Sequence, residues 1–198
     1  MVLIPRQPFD FARTLRFALS PPASADGRSF ESLLDYFEEG EYRRVVEFNG
    51  KLILYGVSAE PAAGTLRARI LAGPAQASTK RGVQEFIARQ FSTDLDLGSF
   101  YQQAVSDPVL SRLVKHFWGM RIPQAMTVYE TLISAILEQQ INLAFTHKVK
   151  QALIATYGRQ VQFRGHSYNA FPEPAALAML LTALAAIVCW LAAIKRRL

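Results

Sequence analysis

The sequence predicts an α+β fold in which a small antiparallel sheet precedes a set of helices. Three observations support this prediction: an Asn-Gly pair between two apolar runs, a strictly alternating segment at residues 65–71, and a change to helical periodicity from residue 80. The chain has 198 residues, of which 51% are apolar. It can therefore bury a sizeable core, which excludes an intrinsically disordered protein.

The N-terminal strands come first along the chain. The first 20 residues alternate apolar with other side chains and predict a strand or an extended segment before a loop at residues 20–22. Two apolar, β-branched runs, residues 42–48 and 51–57, then flank the pair Asn49-Gly50. Since Asn and Gly tolerate the positive φ angles of a type I′ turn, the two runs are predicted to form a β-hairpin.

A further strand and a covering helix follow the hairpin. Residues 65–71 place apolar side chains on one face and Arg67 and Arg69 on the other, which is typical of a half-buried antiparallel strand. An apolar stripe then recurs at helical spacing, formed by Val83, Phe86, Ile87, Gln90 and Phe91. This stripe is expected to pack on the apolar face of the sheet.

Three later helices are predicted from their N-terminal caps. The capping residues are Asp107 before Pro108, Thr127 with Glu130 three residues later, and Asn142. Proline suits the first helical position, and Thr-x-x-Glu is a capping box. Glycines follow two of these helices, at Gly119 and Gly158. The chain after about residue 95 is therefore predicted to be purely helical.

Charge and cysteine content restrict the class of protein. There are 22 Lys+Arg and 16 Asp+Glu residues, a net charge of +6, but three cations lie together at residues 195–197. The charge is therefore a weak indication of a nucleic-acid partner. A single cysteine, Cys189, excludes a disulfide framework and a multi-cysteine zinc site. Prolines and charged residues interrupt the N-terminus, so no secretory signal is expected and the protein is predicted to be cytoplasmic.

The last 25 residues break the helical pattern. Residues 175–194 contain no charge and one polar side chain, Thr182, and a basic triplet follows at residues 195–197. This length and composition suit a transmembrane helix. Three interpretations are open: a C-terminal membrane anchor, a buried Ala/Leu helix of the fold, or a tail from outside the parent fold, for example from a disrupted reading frame.

Several motifs occur in a fixed order across the chain. They are Pro8-Phe9-Asp10-Phe11, Phe17, Gly40-Glu41-Tyr42-Arg43, Met120-Arg121-Ile122-Pro123, the run from Tyr129 through Gln139-Gln140 to Asn142, Tyr157-Gly158, and Phe171-Pro172-Glu173-Pro174. In this order and spacing they resemble the helix-hairpin-helix DNA glycosylases, most nearly the DNA-3-methyladenine glycosylase II type. The resemblance covers roughly residues 4–178.

The resemblance implies both a fold and a chemistry. Residues 1–95 would form a sheet-and-helix domain resembling the TATA-binding fold, residues 96–178 an incomplete all-helical glycosylase domain, and residues 179–198 an apolar tail outside the family pattern. Such enzymes act in base-excision repair: they flip a damaged purine out of double-stranded DNA and hydrolyse its N-glycosidic bond. The implied partner is double-stranded DNA containing alkylated bases, bound by a monomer. No cofactor or metal is expected.

The resemblance also assigns roles to three uncharged residues. Phe17 stands where the family places an aromatic ring in the base pocket, and the alternative is an ordinary core phenylalanine. Gln140 lies at the turn whose residue enters the gap left by the flipped base, and the alternative is a surface glutamine. Gln139 is expected to brace that turn.

A basic stretch follows the turn. Residues 139–172 contain no Asp or Glu but carry four cations, Lys148, Lys150, Arg159 and Arg164. Such a run suits a surface that faces phosphates, and the alternative is a solvated face that is basic by chance.

No catalytic residue is assigned. The family relies on an aspartate just after its helix-hairpin-helix, and this chain has neither that hairpin nor any acidic residue after Glu173. The 198-residue chain is therefore expected to bind DNA without excising bases. The alternative functions are a non-enzymatic DNA-binding module, including a helix-turn-helix regulator, and a membrane-anchored module that uses the apolar tail.

Overall fold

The computed structural model describes residues 1–19, 32–139 and 143–175. Within these ranges the chain forms a five-stranded antiparallel sheet, six α-helices and a separate two-stranded hairpin. The predicted α+β class is therefore confirmed, and the sheet precedes most of the helices as expected.

The sheet contains the predicted hairpin at its centre. Its strands are β1 (Val2–Leu3), β2 (Tyr36–Glu38), β3 (Glu41–Phe48), β4 (Lys51–Glu60) and β5 (Thr65–Ala72). They are ordered β1-β5-β4-β3-β2, and every neighbouring pair is antiparallel. Phe48 pairs with Lys51 across a turn in which Asn49 has φ +50° and Gly50 has φ +72°. The turn is thus built on the two residues that tolerate this conformation.

The strand predicted for the first 20 residues is wrong beyond β1, because residues 11–19 form helix α1 (Phe11–Leu19). The Asp10 carboxylate starts the helix by accepting a hydrogen bond from the backbone N–H of Arg13 at 2.9 Å. Phe11 and Leu15, one helical turn apart, are both buried in the core. The few apolar residues in this segment are compatible with the two-residue repeat of a strand and with the 3.6-residue repeat of a helix. Burial of Phe11 and Leu15 against the sheet favours the helix. The loop predicted at residues 20–22 lies outside the described residues.

Helix α2 (Ala77–Gln90) covers the inner face of the sheet as predicted. Val83, Ile87 and Phe91 of the predicted stripe have no solvent exposure and belong to the main core. The Phe91 ring meets the ring of Tyr42 on β3 edge-to-face, with 5.3 Å between centroids. Helix α2 and strand β3 therefore share one apolar core.

The remaining helices are α3 (Gly98–Ala104), α4 (Pro108–His116), α5 (Val128–Glu138) and α6 (Leu143–Tyr157). Two predicted caps are formed: Asp107 Oδ1 accepts from the first free N–H groups of α4, and Thr127 Oγ1 accepts from the N–H of Glu130 at 3.0 Å. The capping box at α5 is only half formed, because the Glu130 side chain points to the sheet and binds Arg44. Asn142 lies outside the described residues.

The prediction of a purely helical second part is wrong at residues 160–169. Strands β6 (Gln160–Phe163) and β7 (His166–Asn169) form a hairpin around Arg164 and Gly165, whose φ angles are +48° and +81°. Tyr168 of this hairpin is buried with Val45 and Leu54 in a second, smaller core. The hairpin therefore covers the face of the sheet opposite to α2.

Candidate DNA-facing surface

The end of α5 and the first turns of α6 are linked by hydrogen bonds. Helix α5 ends at Glu138, and Gln139 follows as an exposed residue whose N–H donates to the Ile136 carbonyl at 3.4 Å. On the other side of the turn, the buried Thr146 hydroxyl donates to the Leu137 carbonyl at 3.0 Å. This cross-link between the helices was not predicted. The exposed position of Gln139 is compatible with a bracing role, and Gln140 lies outside the described residues.

The four predicted phosphate-binding cations occupy different environments. Lys148 is exposed on α6, whereas Lys150 is half-buried and its Nζ donates to Ser134 Oγ on α5 at 3.0 Å. Arg159 forms an ion pair with Glu173 and lies 3.6 Å from Glu47. Of the two lysines, Lys148 is thus the one that extends freely towards solvent.

Arg164 lies at the tip of the β6–β7 hairpin. Its guanidinium is 3.9 Å from the Glu39 carboxylate and stacks over the Phe163 ring at 5.3 Å. Residues 139–172 contain no acidic side chain, but the fold brings carboxylates from other parts of the chain close to Arg159 and Arg164. The close pair with Glu173 reduces what Arg159 can offer a phosphate, whereas the longer and largely exposed pair with Glu39 reduces the contribution of Arg164 less.

The carboxylates around Arg159 influence each other. Burial and the neighbouring Glu173 carboxylate raise the pKa of Glu47, whereas the hydrogen bond from Arg159 lowers the pKa of Glu173. On α6, burial and the charge of Lys150 lower the pKa of His147 and so disfavour its charged form.

Phe17 lies on the outer side of α1. Its side chain is 54% exposed, while Phe11 and Leu15 on the same helix fill the core. It is therefore not a core phenylalanine. Helix α1 is attached to the chain after α4, because the Asp10 N–H donates to the Gly119 carbonyl at 2.7 Å. The role of Phe17 in a base pocket stays a prediction.

A buried ionic cluster joins the sheet to α5. Arg44 of β3 donates to both carboxylate oxygens of Glu130, at 2.6 and 2.7 Å, and to Asp35 at 2.5 Å. Burial alone would raise the pKa of Asp35, but the charge of Arg44 and the hydrogen bonds from Tyr42, Arg44 and Ser32 together hold this pKa below the usual value. The cluster fixes the start of the helix whose end carries Gln139. The sequence signal was a pair of arginines inside an apolar strand, but it did not identify their partners.

A second buried arginine fixes the chain between α4 and α5. The Arg121 side chain is almost fully buried and donates to the carbonyls of Arg6 and Leu95, each at 3.1 Å. Its backbone N–H donates to the Thr14 hydroxyl at 3.0 Å. The sequence motif that contains Arg121 is thus a junction between the N-terminal segment and the helices.

Comparison with known proteins identifies DNA glycosylases. A DNA-3-methyladenine glycosylase from Bacillus subtilis is 31% identical over 107 residues, which is 54% of this chain and 35% of that protein. A 3-methyladenine DNA glycosylase structure from Archaeoglobus fulgidus superposes with a TM-score of 0.72 at 18% identity, covering 89% of this chain and 57% of that one. A structure of MBOgg1 with a low-affinity DNA ligand gives a TM-score of 0.59 at 23% identity, covering 86% and 50%. No protein-family model matches the sequence.

These comparisons confirm the resemblance to DNA-3-methyladenine glycosylases that the sequence motifs indicated. The structural likenesses, at such low identity, establish a shared fold. The chain spans only about a third to just over half of the length of these relatives. In the described ranges no helix has the length and apolarity that crossing a membrane requires. The apolar tail at residues 176–198 lies outside those ranges.

Proposed function

We propose that this chain is the DNA-engaging part of a base-excision-repair glycosylase of the 3-methyladenine type. Residues 1–95 correspond to its sheet-and-helix domain, of the TATA-binding type, and residues 96–178 to the first part of its helical domain. Its partner is double-stranded DNA containing alkylated purines, which it binds as a monomer in the cytoplasm. As a 198-residue polypeptide it binds this DNA without cleaving the glycosidic bond.

The α5–α6 pair carries this proposal. Gln139 is exposed at the end of α5, the Thr146 hydroxyl of α6 donates to the Leu137 carbonyl of α5, and Lys148 is exposed on α6. The buried Arg44–Glu130 pair attaches α5 to the sheet, so the end of α5 has a rigid support. Gln140 follows directly in the sequence, and a residue that enters a DNA duplex needs such support, because unstacking a base costs a few kcal/mol.

The proposal is tested by measuring DNA binding as a function of salt. Each phosphate contact contributes a slope of about 0.9 to the dependence of log K on log salt. If all four cations meet phosphates, replacing Lys148, Lys150, Arg159 and Arg164 by alanine lowers the slope by about 3.6. Because Arg159 and Arg164 already face carboxylates, we expect a decrease of about 1–2.

A matched control removes the same charge elsewhere. Lys51, Lys80, Arg81 and Arg112 are exposed on the sheet, α2 and α4, and their replacement by alanine also removes four positive charges. This variant should lose little of the salt slope. Equal losses in the two variants would show that net charge alone accounts for binding, and an unchanged slope in the first would exclude the proposed surface.

Two single substitutions refine the test. Lys148→Ala should lower the slope by about one contact, whereas Arg159→Ala should lower it less, since Arg159 is occupied by Glu173. Fluorescence anisotropy with a labelled duplex, with and without alkylated purines, measures both the slope and the preference for damaged DNA. A larger decrease for Arg159→Ala than for Lys148→Ala would indicate that the phosphate contacts lie near the β6–β7 hairpin and not on α6.

A further inference from the structure

A cleft lies between the start of α1 and the adjoining ends of β4 and β5. Its volume is about 450 Å³, which is within the range of about 300–1,000 Å³ that is typical of small-molecule sites. Residues 7–12, 59–61, 64–66 and 118–119 contribute to its lining. Phe17, the predicted base-pocket residue, does not line it. The cleft therefore has no role in the function proposed above.

Hydrogen bonds hold the walls of this cleft together. The Asp10 N–H donates to the Gly119 carbonyl at 2.7 Å, and the Gly119 N–H donates to the Tyr101 hydroxyl at 3.2 Å. Gly119 has φ +78°, and a Cβ at this position would lie 2.9 Å from the Asp10 nitrogen, so only glycine permits this close approach. The cleft is therefore preformed, which lowers the cost of ordering it around a ligand.

Trp118 offers a flat apolar surface to the cleft. Its ring stacks on the ring of Tyr101, with 4.3 Å between centroids and 25° between planes. Tyr101 is buried and so supports the indole from one side, while Trp118 itself is 49% exposed and lines the cleft. A supported and exposed aromatic ring of this kind suits a planar aromatic ligand, because every such ligand has a face that can stack on it.

The charged groups of the cleft favour a ligand with N–H donors. Asp10 and Glu60 line it, and none of the described residues in its lining is Lys, Arg or His. Asp10 caps α1 and pairs with Arg13 at 3.0 Å, whereas Glu60 pairs with Arg67. An ionised carboxylate has about four acceptor positions, so Glu60 can accept a further hydrogen bond. A phosphate group in the cleft would meet two carboxylates and no cation of the lining.

We propose that this cleft binds an amino-substituted heteroaromatic ring, such as the adenine of a nucleoside. The ring stacks on Trp118, and its amino group donates to the Glu60 carboxylate. The nucleoside is favoured over the corresponding nucleotide, because a phosphate brings negative charge next to Asp10 and Glu60. The ligand is thus recognised by its flat ring, by its amino group and by the absence of phosphate.

Equilibrium dialysis of labelled adenosine against the purified 198-residue chain, without DNA, tests this proposal. Purine riboside, which has no amino group, should bind about tenfold more weakly than adenosine, since the hydrogen bond to a charged acceptor is lost. Adenosine 5′-monophosphate should also bind about tenfold more weakly, because of charge repulsion. Adenosine binding that does not saturate up to about 1 mM would overturn the proposal. Equal or tighter binding of either analogue would overturn it as well.

Two substitutions and a matched control locate the ligand. Trp118→Leu should weaken adenosine binding about tenfold or more, because stacking is lost. Glu60→Gln should weaken adenosine binding and also reduce the difference between adenosine and its monophosphate, which a merely structural role would not do. Phe100→Leu is the control, because Phe100 is 46% exposed and its ring is 5.8 Å from the Tyr101 ring, but it does not line the cleft. Equal losses in Trp118→Leu and Phe100→Leu would overturn the proposal.

Tryptophan fluorescence provides a second measurement in which the cleft is unaltered. Trp190→Phe leaves Trp118 as the single tryptophan of the chain. Adenosine should quench its fluorescence with the concentration dependence found by dialysis, because the base contacts the indole. Saturable binding without quenching would place adenosine away from Trp118 and overturn the proposal. Far-UV circular dichroism checks that each variant keeps the fold.

Discussion

The ion pair between Arg44 and Glu130 is expected to contribute strongly to the attachment of α5 to the sheet. Its N–O distance is 2.6 Å, and both side chains are at most 7% exposed. Removing one partner of a buried pair leaves an uncompensated charge and costs about 3–5 kcal/mol. Asp35 keeps a contact with Arg44 at 2.5 Å, so for Glu130→Gln we expect the lower end of this range, about 3 kcal/mol.

Urea unfolding followed by far-UV circular dichroism measures this loss. The midpoint should fall while the dependence of the free energy of unfolding on urea stays unchanged, since the same surface is exposed on unfolding. Glu138→Gln is the matched control, because Glu138 is exposed on the same helix and its loss should change stability by less than about 0.5 kcal/mol. A Glu130→Gln variant as stable as this control would refute the reasoning.

Three further predictions follow from the fold and the sequence. Gly50→Val should destabilise the β3–β4 hairpin by about 1–3 kcal/mol, because φ is +72° at this position and a β-branched residue is strained there, whereas Gly50→Asn should be tolerated. Equal melting temperatures for the Val variant and the parent would contradict the turn assignment. Against the effect of burial, the charge of Arg44 and the hydrogen bonds to Asp35 hold the pKa of Asp35 below its usual 3.8, so these interactions stabilise the fold above that pH and their contribution is lost as the pH falls below it. Asp35→Asn should therefore flatten the acid limb of a stability profile measured from about pH 6 to about pH 2.5, and an unchanged limb would show that Asp35 does not contribute to the loss of stability in acid. Assayed by itself, the 198-residue polypeptide should release no 3-methyladenine from alkylated DNA, because it has no carboxylate after Glu173 to stabilise the charge that develops on the sugar, whereas the same polypeptide joined to a family-like C-terminal segment should release it. Turnover by the 198 residues alone that is lost in Glu138→Gln would identify Glu138 as the acid instead.

Local signals were sufficient where a few neighbouring residues set the backbone. The Asn49-Gly50 turn and the Asp107 and Thr127 caps depend on side chains within three positions of the backbone groups they affect, and all are found as predicted. The alternation of residues 65–71 likewise required only one buried face. Such features are readable because their energetics do not depend on distant parts of the chain.

The sequence alone did not determine elements whose conformation depends on what they pack against. Residues 11–19 carry too few apolar positions to distinguish a strand from a helix, and contact of Phe11 and Leu15 with the core decided in favour of the helix. Residues 160–163 alternate Gln, Val, Gln and Phe, a short strand signal that the preceding helix obscured. Burial of Tyr168 against Val45 and Leu54 fixes that hairpin.

The candidate site shows the same division. The motif order indicated a glycosylase-like chain, and the comparisons bear this out. The electrostatics could not be read from the sequence, because the carboxylates that oppose Arg159 and Arg164, or that bind Arg44, lie between 9 and 125 positions away. An ion pair depends on distance in space, and only the tertiary structure brings Glu47, Glu39 and Glu130 next to their arginines.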